Sequence, residues 1–125
     1  MPTAGFLGEE TTATGLDNEF VWIVDPIDGT SNFANRLPHW ATAVALLWRG
    51  QPVIAAIWAE PEQALYTARL GHGARRAGKR VRTGSGRWDD GSIVGCQWHR
   101  GQQDLEFLAA LQRRGTRVRT FGCTV

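Results

Sequence analysis

Apolar residues along the chain gather in short runs separated by turn residues. The run VWIVD, residues 21–25, carries a single charge, and its other residues are β-branched or aromatic. Three further runs follow, ATAVALLW (41–48), PVIAAIW (52–58) and ALYTARL (64–70), joined by short polar segments. Runs of this kind predict buried strands. The last three are expected to form an antiparallel meander, which helices should cover on at least one side.

The end of the first predicted strand carries two carboxylates, Asp25 and Asp28. Pro26 lacks an N–H and cannot continue a strand ladder, so the strand is predicted to end at Asp25. A short helix is expected to follow, with Thr30 or Ser31 as its N-cap. The two acids are therefore predicted to face a strand-to-helix turn.

The second half of the chain predicts a further mixture of elements. GARRAGKRVR, residues 73–82, has a small two-residue turn at its centre and is typical of an exposed hairpin. A strand over residues 92–98, a helix from about 102 to 114 and a strand near 117–121 should follow. The chain as a whole, residues 1–125, has the length and composition of one α/β domain.

The net charge of +2 is unevenly distributed. Residues 1–28 contain six acids and no lysine or arginine, whereas residues 69–87 contain seven bases and no acid. The acidic end is suited to cations and the basic end to anions. No aromatic residue alternates with the bases between Gly71 and Gly86, as a nucleic-acid stacking groove would require. The basic block is therefore interpreted as a solvated hairpin surface, without a nucleic-acid partner.

Composition also bears on the location and the core of the protein. No run of eighteen apolar residues and no signal-peptide pattern is present, so a cytoplasmic protein without a membrane partner is expected. Cys96 and Cys123 lack a C-x-x-C spacing and are interpreted as reduced thiols. Trp22, Trp48 and Trp58 lie in predicted strands and are interpreted as core or interface residues.

The paired acids need a counter-ion. Two carboxylates about 4 Å apart repel by about 4 kcal/mol at an effective dielectric of about 20. Mg²⁺ meets this need because it prefers oxygen ligands and is commonly completed by a substrate phosphate, and the Ile27 carbonyl lies between the acids. Gly29 and Thr30 would place N–H groups at a helix start, where phosphate binds. An ordinary capped turn without metal is the alternative that these residues leave open.

The stretch DPIDGTSNF, with GEE sixteen residues upstream, resembles the first signature of the inositol monophosphatase family of Mg²⁺-dependent, lithium-sensitive phosphatases. The similarity continues through NRLPHWATAVALLWRGQPVIAAIWAEPEQALYTARLGHGARRAGKRVR and RTFGCTV, so it covers nearly the whole chain. It implies a layered α/β sandwich of the sugar-phosphatase type. Residues 1–125 are expected to hold the central part of such a domain and to lack both of its ends.

The resemblance also implies roles for individual residues. The metal ligands that the resemblance implies are Glu9, Asp25, Asp28 and the Ile27 carbonyl. The catalytic residues that it implies are Glu9, Asp28 and Thr30. The substrate-binding residues that it implies are Asp28, Gly29 and Thr30. The implied reaction is hydrolysis of inositol monophosphate or of a related small polyol or sugar phosphate. Mg²⁺ polarises the phosphate, activates a bound water and stabilises the leaving alkoxide. A homodimer is the assembly that the family implies.

Two features of the family pattern have no counterpart in this sequence. The family has an upstream helix with an Asp that pairs with the threonine matching Thr30, and a later W-D-x-A-A-G motif that supplies a further ligand. Trp88-Asp89 is not followed by such a small-residue helix and is interpreted as part of a polar turn. Two alternatives therefore remain: a noncatalytic chain with residual cation binding, or a relative specific for fructose bisphosphate, histidinol phosphate or a nucleotide phosphate.

Overall fold

A computed structural model describes residues 3–84, 92–96 and 102–120 of the chain. The first range contains strands β1 (Gly5–Gly8), β2 (Phe20–Asp28), β3 (Ala41–Trp48), β4 (Gln51–Ala59), β5 (Ala64–Arg69), β6 (Gly73–Arg76) and β7 (Lys79–Val81). Helix α1 (Thr30–Ala34) follows β2, and a 3₁₀ turn (Glu60–Glu62) follows β4. The later ranges contain strand β8 (Ile93–Cys96), helix α2 (Gln102–Arg113) and strand β9 (Arg117–Thr120).

The seven strands β1 to β7 form one sheet in which spatial order equals sequence order. Each strand from β2 to β6 pairs antiparallel with the next, while β1 adds to β2 in parallel. The predicted three-stranded meander is confirmed and forms the middle of this longer run. The pattern did not predict β1, since GFLG is short and contains two glycines.

The predicted end of β2 at Asp25 is wrong. The strand continues to Asp28, and its register against β3 shifts between these two residues. Such a bulge leaves part of a strand without ladder bonds, and Pro26 occupies this irregular stretch, where its missing N–H is tolerated. Both carboxylates therefore belong to the end of one strand rather than to a separate turn.

The predicted hairpin at residues 73–82 is confirmed as β6 and β7. Its turn residues, Ala77 and Gly78, have φ angles of 46° and 79°. Two successive positive φ angles match the right-handed twist of the flanking strands, and glycine or asparagine adopts them with least strain. The alanine at position 77 is therefore in a conformation that its Cβ disfavours.

The strand register sorts the side chains of the large sheet onto two faces. Residues opposite one another share a face, because side chains alternate along each strand. One row runs from Trp22 through Leu46 to Ile54. The face that carries this row is called the aromatic face; its exposed apolar residues are Phe6, Trp22, Trp48, Ile54, Trp58 and Leu65. The other face is called the alanine face; its small residues include Ala41, Ala43, Ala45, Ala55, Ala59 and Ala64.

The aromatic face is open to solvent in the described part of the chain. Trp22, Trp48 and Trp58 are 37%, 43% and 37% exposed, so the interpretation of these residues as core is wrong for this part. The apolar runs predict that helices cover the sheet, but the described residues supply no such cover to this face. An interface role for the tryptophans stays a prediction.

Buried apolar residues are few among the described residues. Val21, Ala41, Ala64 and Leu111 are the buried apolar residues, and no large side chain is fully buried. The exposed aromatic face and this small core have the same cause, because a single sheet buries a face only when another layer packs on it.

Strands β8 and β9 form a second, two-stranded parallel sheet, and α2 lies between them in sequence. The predicted end of α2 near Gly115 is confirmed: the Gly115 N–H donates to the Gln112 carbonyl at 2.9 Å, and the Thr116 N–H donates to the Leu111 carbonyl at 3.1 Å. With Gly115 at a φ of 71°, these bonds form a Schellman motif.

Some predictions lie outside the described residues. These are the polar turn at residues 88–90, the ends of the strands predicted over 92–98 and 117–121, and the state of Cys123. Within the described ranges, no helix combines the length and apolar character needed to cross a membrane.

Candidate functional site

The parallel pairing of β1 with β2 brings Glu9 to Asp25. Gly8 is paired with Val24. The next residue in the chain after Gly8 is Glu9, and the next after Val24 is Asp25, so the register brings these two acids side by side. The Glu9 N–H donates to the Val24 carbonyl at 3.4 Å. Parallel strands present their carboxyl ends at the same edge of a sheet, and this edge therefore gathers acids that are far apart in sequence.

The loop that follows Glu9 is held against β1. The Phe6 N–H donates to the Thr14 carbonyl at 2.8 Å, and the Thr14 N–H donates to the Phe6 carbonyl at 2.9 Å. Gly5 comes so close to this loop that an added Cβ would lie 2.0 Å from the Gly15 carbonyl oxygen. A glycine at position 5 is thus required for the loop to fold back and fix the direction in which Glu9 leaves the strand.

Three hydrogen bonds hold the segment after Asp25. The Asp25 Oδ1 accepts from the Ile27 N–H at 3.1 Å, and the Thr30 hydroxyl donates to the Ile27 carbonyl at 3.0 Å. The Thr42 hydroxyl donates to the Pro26 carbonyl at 2.8 Å, which ties β3 to the bulge. A carbonyl oxygen has two lone pairs, so the Ile27 carbonyl keeps acceptor capacity for a second partner.

Helix α1 starts without a side-chain cap. Gly29 is its N-cap residue, with φ 88° and ψ 38°, and its carbonyl accepts from the Phe33 N–H at 3.0 Å. The predicted capping by Thr30 or Ser31 is wrong, because the Thr30 hydroxyl turns back to Ile27 instead. The left-handed conformation at Gly29 makes the sharp change from strand to helix possible.

The far end of α1 is fixed by contacts with the segment before β3. The Asn32 side chain donates to the His39 carbonyl at 2.6 Å. The Phe33 and Trp40 rings meet edge to face, with centroids 5.2 Å apart and planes at 80°. A cavity of about 520 Å³ lies beside these rings and is also lined by Arg36 and Glu60. These contacts keep α1 and the preceding turn in one position.

The two neighbouring carboxyl groups interact electrostatically. The Asp25 charge raises the pKa of Glu9 above its ordinary value, and a hydrogen bond between the two carboxyl groups adds to this effect. Partial desolvation, Glu10 and Asp28 raise the pKa of Glu9 further, in decreasing order. The edge of the sheet at Glu9 thus has a negative potential, which a bound cation would relieve.

The predicted site residues are brought together to different degrees. Glu9 and Asp25 are close, Asp25 accepts a hydrogen bond from the Ile27 N–H, and Asp28 has the smallest influence among the groups that raise the pKa of Glu9. In residues 3–84, 92–96 and 102–120, no group of three or more His, Cys, Asp or Glu side chains is arranged to hold a metal. The donors at this edge are hard oxygen atoms, which fit Mg²⁺ in kind.

Sequence reasoning missed two features that position the site, strand β1 and Thr42. A signal for Thr42 existed, because it is the single polar residue in ATAVALLW. A hydroxyl in an otherwise apolar strand needs a hydrogen-bond partner, and the bulge supplies the Pro26 carbonyl.

Solved structures share this fold. The extragenic suppressor protein suhB from Bartonella henselae superposes with a TM-score of 0.84 and 30% identity, over 95% of this chain and 48% of that chain. Staphylococcal SaIMPase-II with bound inositol monophosphate gives a TM-score of 0.81 at 26% identity, over 96% of this chain and 48% of that chain. The same protein is also known with 2'AMP bound. The mixed sheet is therefore an incomplete α/β sandwich of the inositol monophosphatase type.

Sequence comparison gives the family directly. The model of the inositol monophosphatase family matches residues 1–124, and the chain belongs to this phosphatase family. The inositol-1-monophosphatase of Rhizobium meliloti (strain 1021) is 42% identical over 95 residues, which are 75% of this chain and 36% of that protein. The chain thus spans about a third of this relative and about half of the solved chains.

Proposed function

We propose that the protein is a Mg²⁺-dependent phosphomonoesterase acting on inositol monophosphate or a related small polyol or sugar phosphate. The observation that carries this proposal is the β1–β2 register, which places Glu9 against Asp25. Two acids from separate segments meet at the end of a sheet, and their mutual repulsion is of the kind that a divalent cation compensates. Family membership supports phosphate ester hydrolysis as the chemistry.

The residues that would hold the metal are Glu9, Asp25, Asp28 and the Ile27 carbonyl. When bound, Mg²⁺ would polarise the phosphate and make a bound water more acidic. Asp25 is pre-oriented by the Ile27 N–H, which donates to its Oδ1. In this proposal Glu9 accepts the proton of the attacking water, as the family resemblance implies.

The segment after the acids would bind the phosphate. Gly29 and Thr30 stand at the start of α1, and no side chain caps this start. The Thr30 hydroxyl donates to the Ile27 carbonyl at 3.0 Å, so it connects the phosphate side of the turn to the metal side. Loss of this hydroxyl would therefore disturb both sides together.

Known relatives support a small phosphate monoester as substrate. SaIMPase-II binds inositol monophosphate in one structure and 2'AMP in another, so a polyol phosphate and a nucleotide phosphate are both compatible with this fold. Inositol monophosphate is proposed first because the Rhizobium relative is an inositol-1-monophosphatase. A homodimer in the cytoplasm stays part of the proposal.

A second candidate function is cation binding without turnover. The observation that favours it is the incomplete ligand set, since no three-residue metal group occurs in the described residues. A partial constellation loses the geometry on which metal-assisted catalysis depends.

Activity and metal binding separate the two candidates. Phosphate release from inositol monophosphate should be measured with excess Mg²⁺ for the full chain, for Asp25→Asn and Asp28→Asn, and for the control Asp17→Asn. We expect a loss of at least about a hundredfold in turnover for the first two variants and near-unchanged turnover for the control. Calorimetric Mg²⁺ binding that depends on Asp25, without turnover, would establish the second candidate. Turnover unaffected by Asp25→Asn would refute both assignments of the site.

A further inference from the structure

Three arginines converge on a cavity at the end of the meander opposite to β1. The cavity has a volume of about 560 Å³ and is lined by Arg69 of β5, Arg75 of β6 and Arg80 of β7. Among the described residues, its remaining lining is formed by Ile54, Thr67, Ala68, Gly71, His72 and Gly73, none of which is acidic. This concentration of positive charge has no role in the proposed hydrolysis.

The strand register explains why the three side chains share one face. Thr67 is paired with Arg75, and Arg75 with Arg80, so these residues form a single cross-strand row. Arg69 stands two residues from Thr67 on the same face and is paired with Gly73. The missing side chain at Gly73 leaves space that the Arg80 guanidinium approaches, 3.5 Å from where a Cβ would lie.

Two of the three guanidinium groups are anchored by backbone carbonyls, and no acid in the described part of the chain forms an ion pair with any of the three. The Arg75 Nη1 donates to the Gly78 carbonyl at 2.9 Å, and the Arg80 Nη2 donates to the His72 carbonyl at 3.4 Å. Each guanidinium has five N–H donors, so most of them remain available. Arg76, on the alanine face of the same hairpin, is in contrast paired with Glu62 at 2.9 Å.

Like charges directly opposite one another destabilise an antiparallel pair, and Arg75 and Arg80 are such a pair. We propose that this cavity is a binding site for a small anion that carries two linked phosphates, such as a pyrophosphate group. Guanidinium groups bind phosphate through charge-assisted, often bidentate hydrogen bonds. Ile54, 44% exposed, would supply an apolar wall for the remainder of such a ligand.

The cavity is separate from the candidate metal site. The row that contains Asp25 continues through Ala43 and Ile57 to Tyr66, on the alanine face. The arginines lie on the aromatic face, toward the other edge of the sheet. A ligand bound here would therefore not contact the carboxylates and would act as an additional ligand rather than as the substrate.

A small anion is favoured over a nucleic acid for two reasons. None of the described residues that line the cavity is aromatic, so they give unpaired bases no stacking surface. The cavity volume also lies within the range of about 300–1,000 Å³ that is typical of small-molecule sites.

Calorimetric titration of the full chain with inorganic pyrophosphate tests the proposal. A chelator removes divalent cations, so the result does not depend on the proposed metal site, and ionic strength is held constant. Arg69→Gln and Arg80→Gln should each weaken binding about tenfold, since each removes charge-assisted hydrogen bonds. Lys79→Gln is the matched control: it removes one charge from the same hairpin, but from the opposite face, and should change the affinity less than about twofold.

Several outcomes would overturn the proposal. They are the absence of pyrophosphate binding to the unaltered chain, equal losses for Arg80→Gln and Lys79→Gln, and binding of inorganic phosphate as tight as that of pyrophosphate. Tighter binding of a single-stranded oligonucleotide, lost in Arg69→Gln, would assign the site to nucleic acid instead. Arg69→Lys is a control for loss of folding in the Arg69 variants. It keeps the charge and should retain more affinity for pyrophosphate than Arg69→Gln.

Discussion

Replacing Gly5 by alanine should open the loop that carries Glu9. Gly5 has no positive φ angle, so the alanine backbone itself is unstrained at this position. The added Cβ, however, would lie 2.0 Å from the Gly15 carbonyl oxygen and 2.7 Å from its carbon. These are backbone atoms and cannot rotate away as a side chain can. Strand β1 and the loop must therefore move apart.

The cost follows from the hydrogen bonds that this movement breaks. Phe6 and Thr14 exchange two backbone hydrogen bonds of 2.8 and 2.9 Å, each with a net contribution of about 1 kcal/mol. The alanine also restricts the unfolded chain, which offsets about 0.5 kcal/mol of the loss. We expect a net destabilisation of this contact by about 1.5 kcal/mol, equivalent to an about tenfold larger population of the locally open state.

Amide hydrogen exchange measured by NMR is the direct assay, because it reports local opening. The Phe6 and Thr14 amides should exchange about tenfold faster in Gly5→Ala, while amides in β4 and β5 keep their rates. Gly71→Ala is the control: its φ of 74° makes alanine strained, but nothing lies within 4 Å of the added Cβ. It should destabilise its own turn without affecting Phe6. Unchanged exchange at Phe6 and Thr14 in Gly5→Ala would refute the close approach.

Three further predictions concern other parts of the sheet. Ala77→Asn should raise the unfolding free energy in urea by about 0.5–1 kcal/mol, because asparagine tolerates the left-handed turn. Hydrogen bonds from the Tyr66 hydroxyl and, with a smaller effect, from Arg76 lower the pKa of Glu62. The Glu62 carboxylate should therefore stabilise the protein above pH 4.5, and this stabilisation should be lost as the pH falls below that value. The difference in melting temperature between the wild-type protein and Glu62→Gln should accordingly disappear in acid. Trp58→Gln should reduce the fluorescence of a bound hydrophobic dye more than Leu70→Gln does.

Each of these predictions has a result that contradicts it. A destabilising Ala77→Asn would show that the turn does not hold this conformation in solution. A difference between wild-type protein and Glu62→Gln that does not decrease as the pH falls below 4.5 would locate the stabilisation elsewhere. Equal dye fluorescence in the Trp58 and Leu70 variants would mean that the aromatic face is covered.

The meander could be predicted from sequence because each of its strands is a distinct apolar run closed by turn residues. Strand β1 could not, because GFLG has too few residues for a period and forms a strand only through its pairing with β2. The end of β2 was misjudged for a related reason. Pro26 excludes a regular ladder but not a bulge, and only the register with β3 shows which of the two occurs.

The sequence indicates candidate site residues but not how the structure brings them together. The family resemblance singles out Glu9 and Asp25, and the structure brings this pair together. Neither the parallel register nor the Gly5 contact that achieves this has a local sequence signal. The exposure of Trp22 and Trp58 could not be predicted from the sequence either. An apolar run indicates that a strand needs cover, but it does not indicate which residues supply that cover.

The parallel attachment of β1 has a consequence for the order of folding. Strands β3 to β7 join through short connections and can pair one after another with little loss of chain entropy. Strand β1 has four residues and must instead pair with β2 across residues 9–19, a longer closure than any between β3 and β7. We expect pulse-labelled amides of β3 and β4 to become protected before those of β1. The acidic edge would then be the last part of the sheet to assemble.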